Sequence, residues 1–259
     1  MFLFDNLEGF KNVSNELQWA IFIVMCLIVL VAVVAIVISI WLSVKYVRFN
    51  RKTNSQNITG GEAARKILDD NGLKDIKVSS FGSFLFGNSY SHFFKKVRIR
   101  RLTKDKTSLT SLAIGAQKSA LAVLDKEGDK DMKHRIALTP FIYFGPFAFI
   151  PILVVGFLID LLVFKFTGTV TIIAAGIGIL LYLISFILSI KVLKTEAKAQ
   201  KRACEIMLKN GLATQEEVEM MKKLFKLYNI QYFVDIILEI LELILRILEL
   251  AIEIQSNNN

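Results

Sequence analysis

Apolar residues gather in three long runs along this chain, and charge returns between them. The first run extends from Trp19 to Val44 without a charged residue. At about 1.5 Å of rise per residue, roughly 20 helical residues cross about 30 Å of hydrocarbon. Residues 19–44 therefore read as a transmembrane helix. Trp19 and Trp41 stand near its ends, where amphipathic rings favour the interface. The run lacks a basic flank before it and is too long for a leader, so it reads as a span rather than a cleaved signal. The second run covers 140–164 and holds all three prolines, Pro140, Pro146 and Pro151. Each proline removes a backbone donor, which predicts a kinked or locally broken helix. Asp160 reads either as an interfacial carboxylate close to Lys165 or as a group with a partner inside the bundle. The third run covers 169–190. Only Lys165-Phe166-Thr167-Gly168 precedes it, so 140–190 should form an antiparallel hairpin. Gly176 and Gly178 offer a place for close helix contact.

Between the runs the periodicity changes. Ala63, Ala64, Ile67 and Leu68 have helical spacing, Thr59 followed by Glu62 fits a capping box, and Asn71-Gly72 fits a stop. Ile76 and Val78 look like the start of a strand. Val97-Arg98-Ile99-Arg100 alternates apolar and basic, as a half-exposed strand would. A largely apolar helix is predicted over 108–126, with Gly128 at its end. Near the C-terminus, Asp235, Glu239, Glu242, Arg246, Glu249 and Glu253 recur at intervals of three and four among Ile and Leu. That is a helix over 233–255 with one narrow polar stripe. It could pack on the spans, lie in the interface or join chains into an oligomer. A fourth span would carry five carboxylates into hydrocarbon.

Charge gives the spans a direction. Residues 1–18 carry one Lys/Arg, residues 45–139 carry 20 and residues 191–232 carry nine. The positive-inside rule then puts the N-terminus (1–18) outside, with the basic region 45–139 and the helical region 191–232 in the cytoplasm. The chain has 32 Lys/Arg against 23 Asp/Glu and is 54% apolar. Its two cysteines, Cys26 and Cys204, cannot build a disulfide framework or a CxxC zinc site. The densest basic patch is Lys95, Lys96, Arg98, Arg100 and Arg101. Phe93 and Phe94 adjoin it in sequence but do not interleave with it. Anionic lipid is the simpler partner for a loop tethered at the cytoplasmic leaflet, ahead of nucleic acid.

One span, a Thr-Gly-Gly-Glu-Ala-Ala-Arg-Lys-Ile-Leu segment at 59–68, an Asn-Gly-Leu turn at 71–73, an apolar helix, a hairpin and a Glu-bearing helix follow in order. So do Glu127-Gly128, Glu196, Lys201-Arg202-Ala203 and Asn210-Gly211-Leu212. This arrangement resembles the membrane-bound neutral zinc metallopeptidases of the YugP-like family, from about Asn57 to Leu250. The resemblance implies an HExxH motif on the apolar helix, two His binding Zn²⁺ and a Glu activating water, with a further Glu after the hairpin as third ligand. Here Gln117, Lys118 and Leu121 stand at the His, Glu and His positions, and Glu196 at the third-ligand position. The family's Asp-His-Tyr-Asp-Pro stretch is Asn88-Ser89-Tyr90-Ser91-His92, with Tyr90 kept. For Glu196 the residues alone suggest a salt bridge to Lys194 or Lys198.

The expected fold is mainly α: a multi-pass protein of the cell membrane with three transmembrane helices, a small cytoplasmic α+β region and a C-terminal amphipathic helix. The expected function is that of a proteolytically inactive relative, without a cofactor, that binds a membrane or cytoplasmic protein, lipids or further copies of itself. Two alternatives stand beside it. One is an active peptidase with zinc rearranged onto His92, His134 and Glu196. The other is a structural lipid-binding protein that oligomerises through its last helix.

Overall fold

The structure is a computed structural model that describes residues 13–164 and 167–257, with side chains at all of these except 85–86, 140–149, 182, 253–254 and 256–257. Most of the N-terminal segment, Lys165, and the side chains of Pro140, Pro146 and Glu253 thus lie outside the described residues. The elements run α1 (Asn15–Arg51), α2 (Gly60–Asp70), β1 (Lys77–Ser79), α3 (Ser83–Phe86), β2 (Ser89–Ser91), β3 (Lys96–Arg98), α4 (Arg101–Lys104), α5 (Leu109–Lys126), α6 (Lys130–Leu162), α7 (Thr169–Lys209) and α8 (Gln215–Asn257). They form two units. One comprises Met1–Val37, Thr139–Ser189 and Phe233–Asn259, the other Ile38–Leu138 and Ile190–Tyr232.

In the second unit, local signals in the sequence set the short elements. Thr59 accepts a hydrogen bond from the Glu62 amide, and Glu62 returns one from the Thr59 amide, a complete capping box at the start of α2. Asn71 closes that helix and Gly72 follows with a positive φ of 66°. Ser108 caps α5 through the Ser111 amide. The two helices cross closely, and a Cβ on Gly115 would collide with the Gly60 carbonyl. Three strands pair in the order β1-β3-β2, β1 parallel and β2 antiparallel to β3, with Val97 opposite both Val78 and Tyr90. Ile67, Leu68, Val97, Ile99, Leu112, Leu121, Met207 and Leu224 are fully buried between these elements. At the start of α8, Thr214 and Glu217 form a second reciprocal cap, and Glu217 also accepts from the Ser55 amide and hydroxyl at 2.7 Å each.

In the first unit, α1 and α7 are each long and apolar enough to cross a membrane; α6 adds a shorter apolar stretch, Ile150–Leu162. Large side chains on them, such as Val29, Ile36, Ile173 and Leu180, are exposed. Helix α6 runs on through Pro140, Pro146 and Pro151, so the local break that the prolines suggest does not occur: each ring removes one donor and leaves the other backbone bonds in place. Helix α7 continues well past residue 190, because 191–209 is rich in Lys, Ala and Glu and holds neither Pro nor Gly. Helix α8 joins the second half of the expected 191–232 region to 233–255 without a break. Within its last part Val234, Ile236 and Leu243 are buried, while Glu242, Arg246 and Glu249 are exposed. Gly176 meets open space; Gly156 instead makes the close approach, against Ala174. Cys26 is exposed and Cys204 buried, both free.

Asp160 is 2% exposed, and its partner is the start of the next helix. Its Oδ2 accepts from the Thr171 amide and hydroxyl at 2.6 Å each, and its Oδ1 from the Thr167 hydroxyl at 3.1 Å and the Val170 amide at 3.3 Å. The carboxylate thus takes up donors that the first turn of α7 cannot satisfy within itself. Asp160→Ala should lower the thermal midpoint of the detergent-purified protein, and Asp160→Asn, which keeps one acceptor, should lower it less. Equal midpoints for wild type and Asp160→Ala would show that the cap contributes nothing.

Candidate functional site

The Glu-bearing part of α7 and the middle of α5 meet in the second unit, and α6 joins them through Arg135. Glu196 is the centre. Its Oε2 accepts from Gln117 Nε2 at 2.7 Å and from Lys118 Nζ at 2.8 Å. Its Oε1 accepts from an Arg135 guanidinium nitrogen at 2.7 Å. The ionised side chains are largely buried, Lys118 at 13% exposure and Glu196 and Arg135 at 17%. Burial alone would push the Glu196 carboxyl upward. The adjacent Lys118 and Arg135 charges outweigh it and hold the group down to about 2.

Helical geometry explains the choice of partners. Lys194 and Lys198 lie two residues either side of Glu196, so their side chains leave α7 in other directions. Lys194 reaches Asp131, and Lys198 reaches Asp129 and Asp131. The expected salt bridge from Glu196 to one of these lysines is therefore corrected. Arg135, 61 residues from Glu196, was not singled out by any local pattern.

Beside this triad lies a cavity of about 480 Å³. Gln117, Lys118 and Glu196 form part of its wall, and Tyr46, Tyr228 and Tyr232 supply aromatic surface. Gln200 and Asn229, also lining it, exchange two hydrogen bonds of 2.9 and 2.8 Å between their amides.

The side chains of Gln117, Lys118 and Leu121, which the resemblance sets against HExxH, do not fit zinc. Leu121 has no lone pair and is fully buried in the core. Gln117 offers a neutral amide whose nitrogen already donates to Glu196, and Lys118 brings a positive charge to the place where a metal would sit. A catalytic zinc takes three protein ligands and leaves an open position; here one carboxylate remains, with both oxygens engaged. His92 does not approach Glu196. Its Nδ1 lies 2.6 Å from Asp125 Oδ2, the oxygen that also accepts from the Tyr90 hydroxyl at 2.6 Å. Burial and the Asp125 charge both push the Tyr90 phenol upward. His134 is exposed. Among the described residues, no three His, Cys, Asp or Glu side chains gather where they could hold a metal.

The basic patch is spread over the sheet and the turn that follows. Lys95 pairs with Asp75 at 2.9 Å, and Arg101 lies 3.8 Å from Asp105. Arg100 lines the cavity. Lys96 sits over the Phe81 ring at 5.5 Å, and Arg98 over the Phe94 ring at 5.4 Å. Aromatic and basic side chains that do not interleave in sequence are thus brought face to face by the fold.

The sequence profile of the family described as "Putative neutral zinc metallopeptidase" matches residues 24–251. The chain belongs to this family. It is also similar to the "Putative membrane protease YugP" of Bacillus subtilis (strain 168), with 23% identity over 224 residues, 84% of this chain and 93% of that protein. No solved structure matches. The membership and the two long apolar helices together give a membrane location. Within the family's frame, the Glu196 triad occupies the region where the resemblance expects the metal centre.

Removing one cation from a buried ionic cluster leaves charge uncompensated. Lys118→Met should cost about 2 kcal/mol of stability, and much less in a Glu196→Gln background. Equal costs in both backgrounds, measured as a double-mutant cycle, would show that the two side chains are not coupled. Because the folded-state value of Glu196 lies below its ordinary 4.5, this stabilisation is present above about pH 4.5 and fades as pH falls toward 2. The difference in acid stability between wild type and Glu196→Gln should follow that window.

Proposed function

We propose that this chain keeps the scaffold of the membrane metallopeptidases without their chemistry, and serves in the cell membrane as a binding protein. The observation that carries this reading is the convergence of Lys118, Arg135 and Gln117 on Glu196. In a zinc peptidase the metal supplies positive charge beside the third-ligand carboxylate and polarises water. Here the protein's own cations supply that charge, and neither can activate water as a bound metal does. An ammonium at the Lys118 position cannot accept the proton that a general-base carboxylate would take.

The neighbouring cavity then has a role that needs no hydrolysis. Its three tyrosines, its paired amides and its cationic wall suit a polar segment of a membrane or cytoplasmic partner, which would be held and not cut. In this reading the chain crosses the membrane three times, at about 19–44, 140–164 and 169–190, with the N-terminus outside. The second unit and the C-terminus are cytoplasmic, in keeping with the Lys/Arg distribution. The end of α8, with its polar stripe over 233–255, is available for packing or self-association.

Zinc content of the detergent-purified protein, measured by elemental mass spectrometry beside a Glu196→Ala control, tests this reading. Near-zero zinc in both, with no peptide hydrolysis, is the expected result. About one zinc per chain, as a single catalytic site holds, lost in the control and accompanied by hydrolysis, would overturn it in favour of an active peptidase.

A further inference from the structure

The segment 77–104 holds seven Lys/Arg and no Asp or Glu. It also carries the most exposed large apolar side chains of the second unit: Phe81 at 81%, Phe84 at 92%, Phe93 at 68%, Phe94 at 70% and Leu102 at 87%. Such a concentration of bare rings is costly in water and marks an interaction surface. The local structure holds it out. Helix α3, which bears Phe84, is bracketed by Gly82 and Gly87, both at positive φ. Val97 in β3 and Ile99 just past it are fully buried.

We propose that this surface docks on an anionic lipid leaflet, with the Phe rings and Leu102 entering the boundary between headgroups and acyl chains and the basic side chains meeting lipid phosphates. Three observations select lipid over other occupants. First, the charge is of one sign and complements anionic headgroups, which attract basic residues close to a membrane surface. Second, cations and rings are layered: Lys96 lies over Phe81 and Arg98 over Phe94. Aromatic and basic residues favour this interfacial zone, where a ring can be half immersed while its neighbouring charge stays with the headgroups. Third, Asn88 and Arg100 of this segment line the same cavity as Tyr46 and Val192. Those two residues follow the apolar runs 19–44 and 169–190 by two positions each. Asn88 and Arg100 of this segment thus stand beside residues that closely follow two apolar runs in the chain.

The surface shares no residue with the Glu196 triad, so the inference stands whether or not the chain hydrolyses peptides. The full-length protein would be placed in nanodiscs of phosphatidylcholine alone, or of phosphatidylcholine with phosphatidylglycerol, and amide hydrogen exchange followed across 77–104. Exchange over 81–94 should slow by roughly tenfold in the anionic discs. The double variant Phe81→Ser/Phe84→Ser, with an unchanged thermal midpoint, should lose most of that protection. A Lys96→Gln/Arg98→Gln variant should lose the dependence on phosphatidylglycerol. Exchange that is the same in both discs would overturn the proposal. So would protection that survives the Phe substitutions, or that appears only on adding RNA or a soluble protein extract.

Discussion

A buried carboxylate must be neutralised, and the second unit is arranged around that constraint. Glu196 has lost most of its water, so its charge persists only because Lys118 and Arg135 sit within hydrogen-bond distance. Those two cations come from α5 and α6 and the carboxylate from α7, so one electrostatic requirement ties three helices together. The requirement also shapes what surrounds it. Lys118 is held by Glu196 at the edge of the cavity, and Gln117 is turned toward the same oxygen. Two positions along, Lys194 and Lys198 are directed to Asp129 and Asp131, a separate ionic cluster at the start of α6.

How far the sequence foretold this differs from element to element. Local rules worked where local forces dominate. The Thr59–Glu62 box and the Asn71-Gly72 stop are decided within four residues, and each stands as its pattern suggests. The alternation at Val97 and Ile99 marks two fully buried side chains, the first in β3 and the second just past its end. The resemblance located Gln117, Lys118, Leu121 and Glu196 as one constellation, and three of the four do meet. What the sequence hid is long-range. Nothing near Arg135 announces a partner 61 residues away, and nothing near Asp160 announces the amides of Val170 and Thr171. Between α6 and α7 the close approach is made by Gly156 of α6, while Gly176 of α7 meets open space. The pairing of Lys96 and Arg98 with phenylalanines appears only once the sheet and α3 are folded.

The family frame and the electrostatics bear on different questions. Membership fixes the lineage and the membrane setting. The donor set concerns chemistry, and here it is inverted relative to a metal centre: positive side chains surround one carboxylate, where carboxylate and imidazole would surround a cation. In this arrangement α5, α6 and α7 are joined through one carboxylate. Loss of Glu196 would leave Lys118 and Arg135 without the carboxylate that both now face, and loss of Lys118 would leave Arg135 to offset Glu196. The cluster can therefore be retained for reasons of folding alone, independently of any ligand.

Asp160 has a consequence for how the chain is assembled. Its four donors all lie downstream, between Thr167 and Thr171. The carboxylate is therefore made before any of them, and these partners reach it only when the opening turn of α7 has followed. Helix α6 alone cannot supply them, so the end of α6 and the start of α7 complete each other's hydrogen bonds.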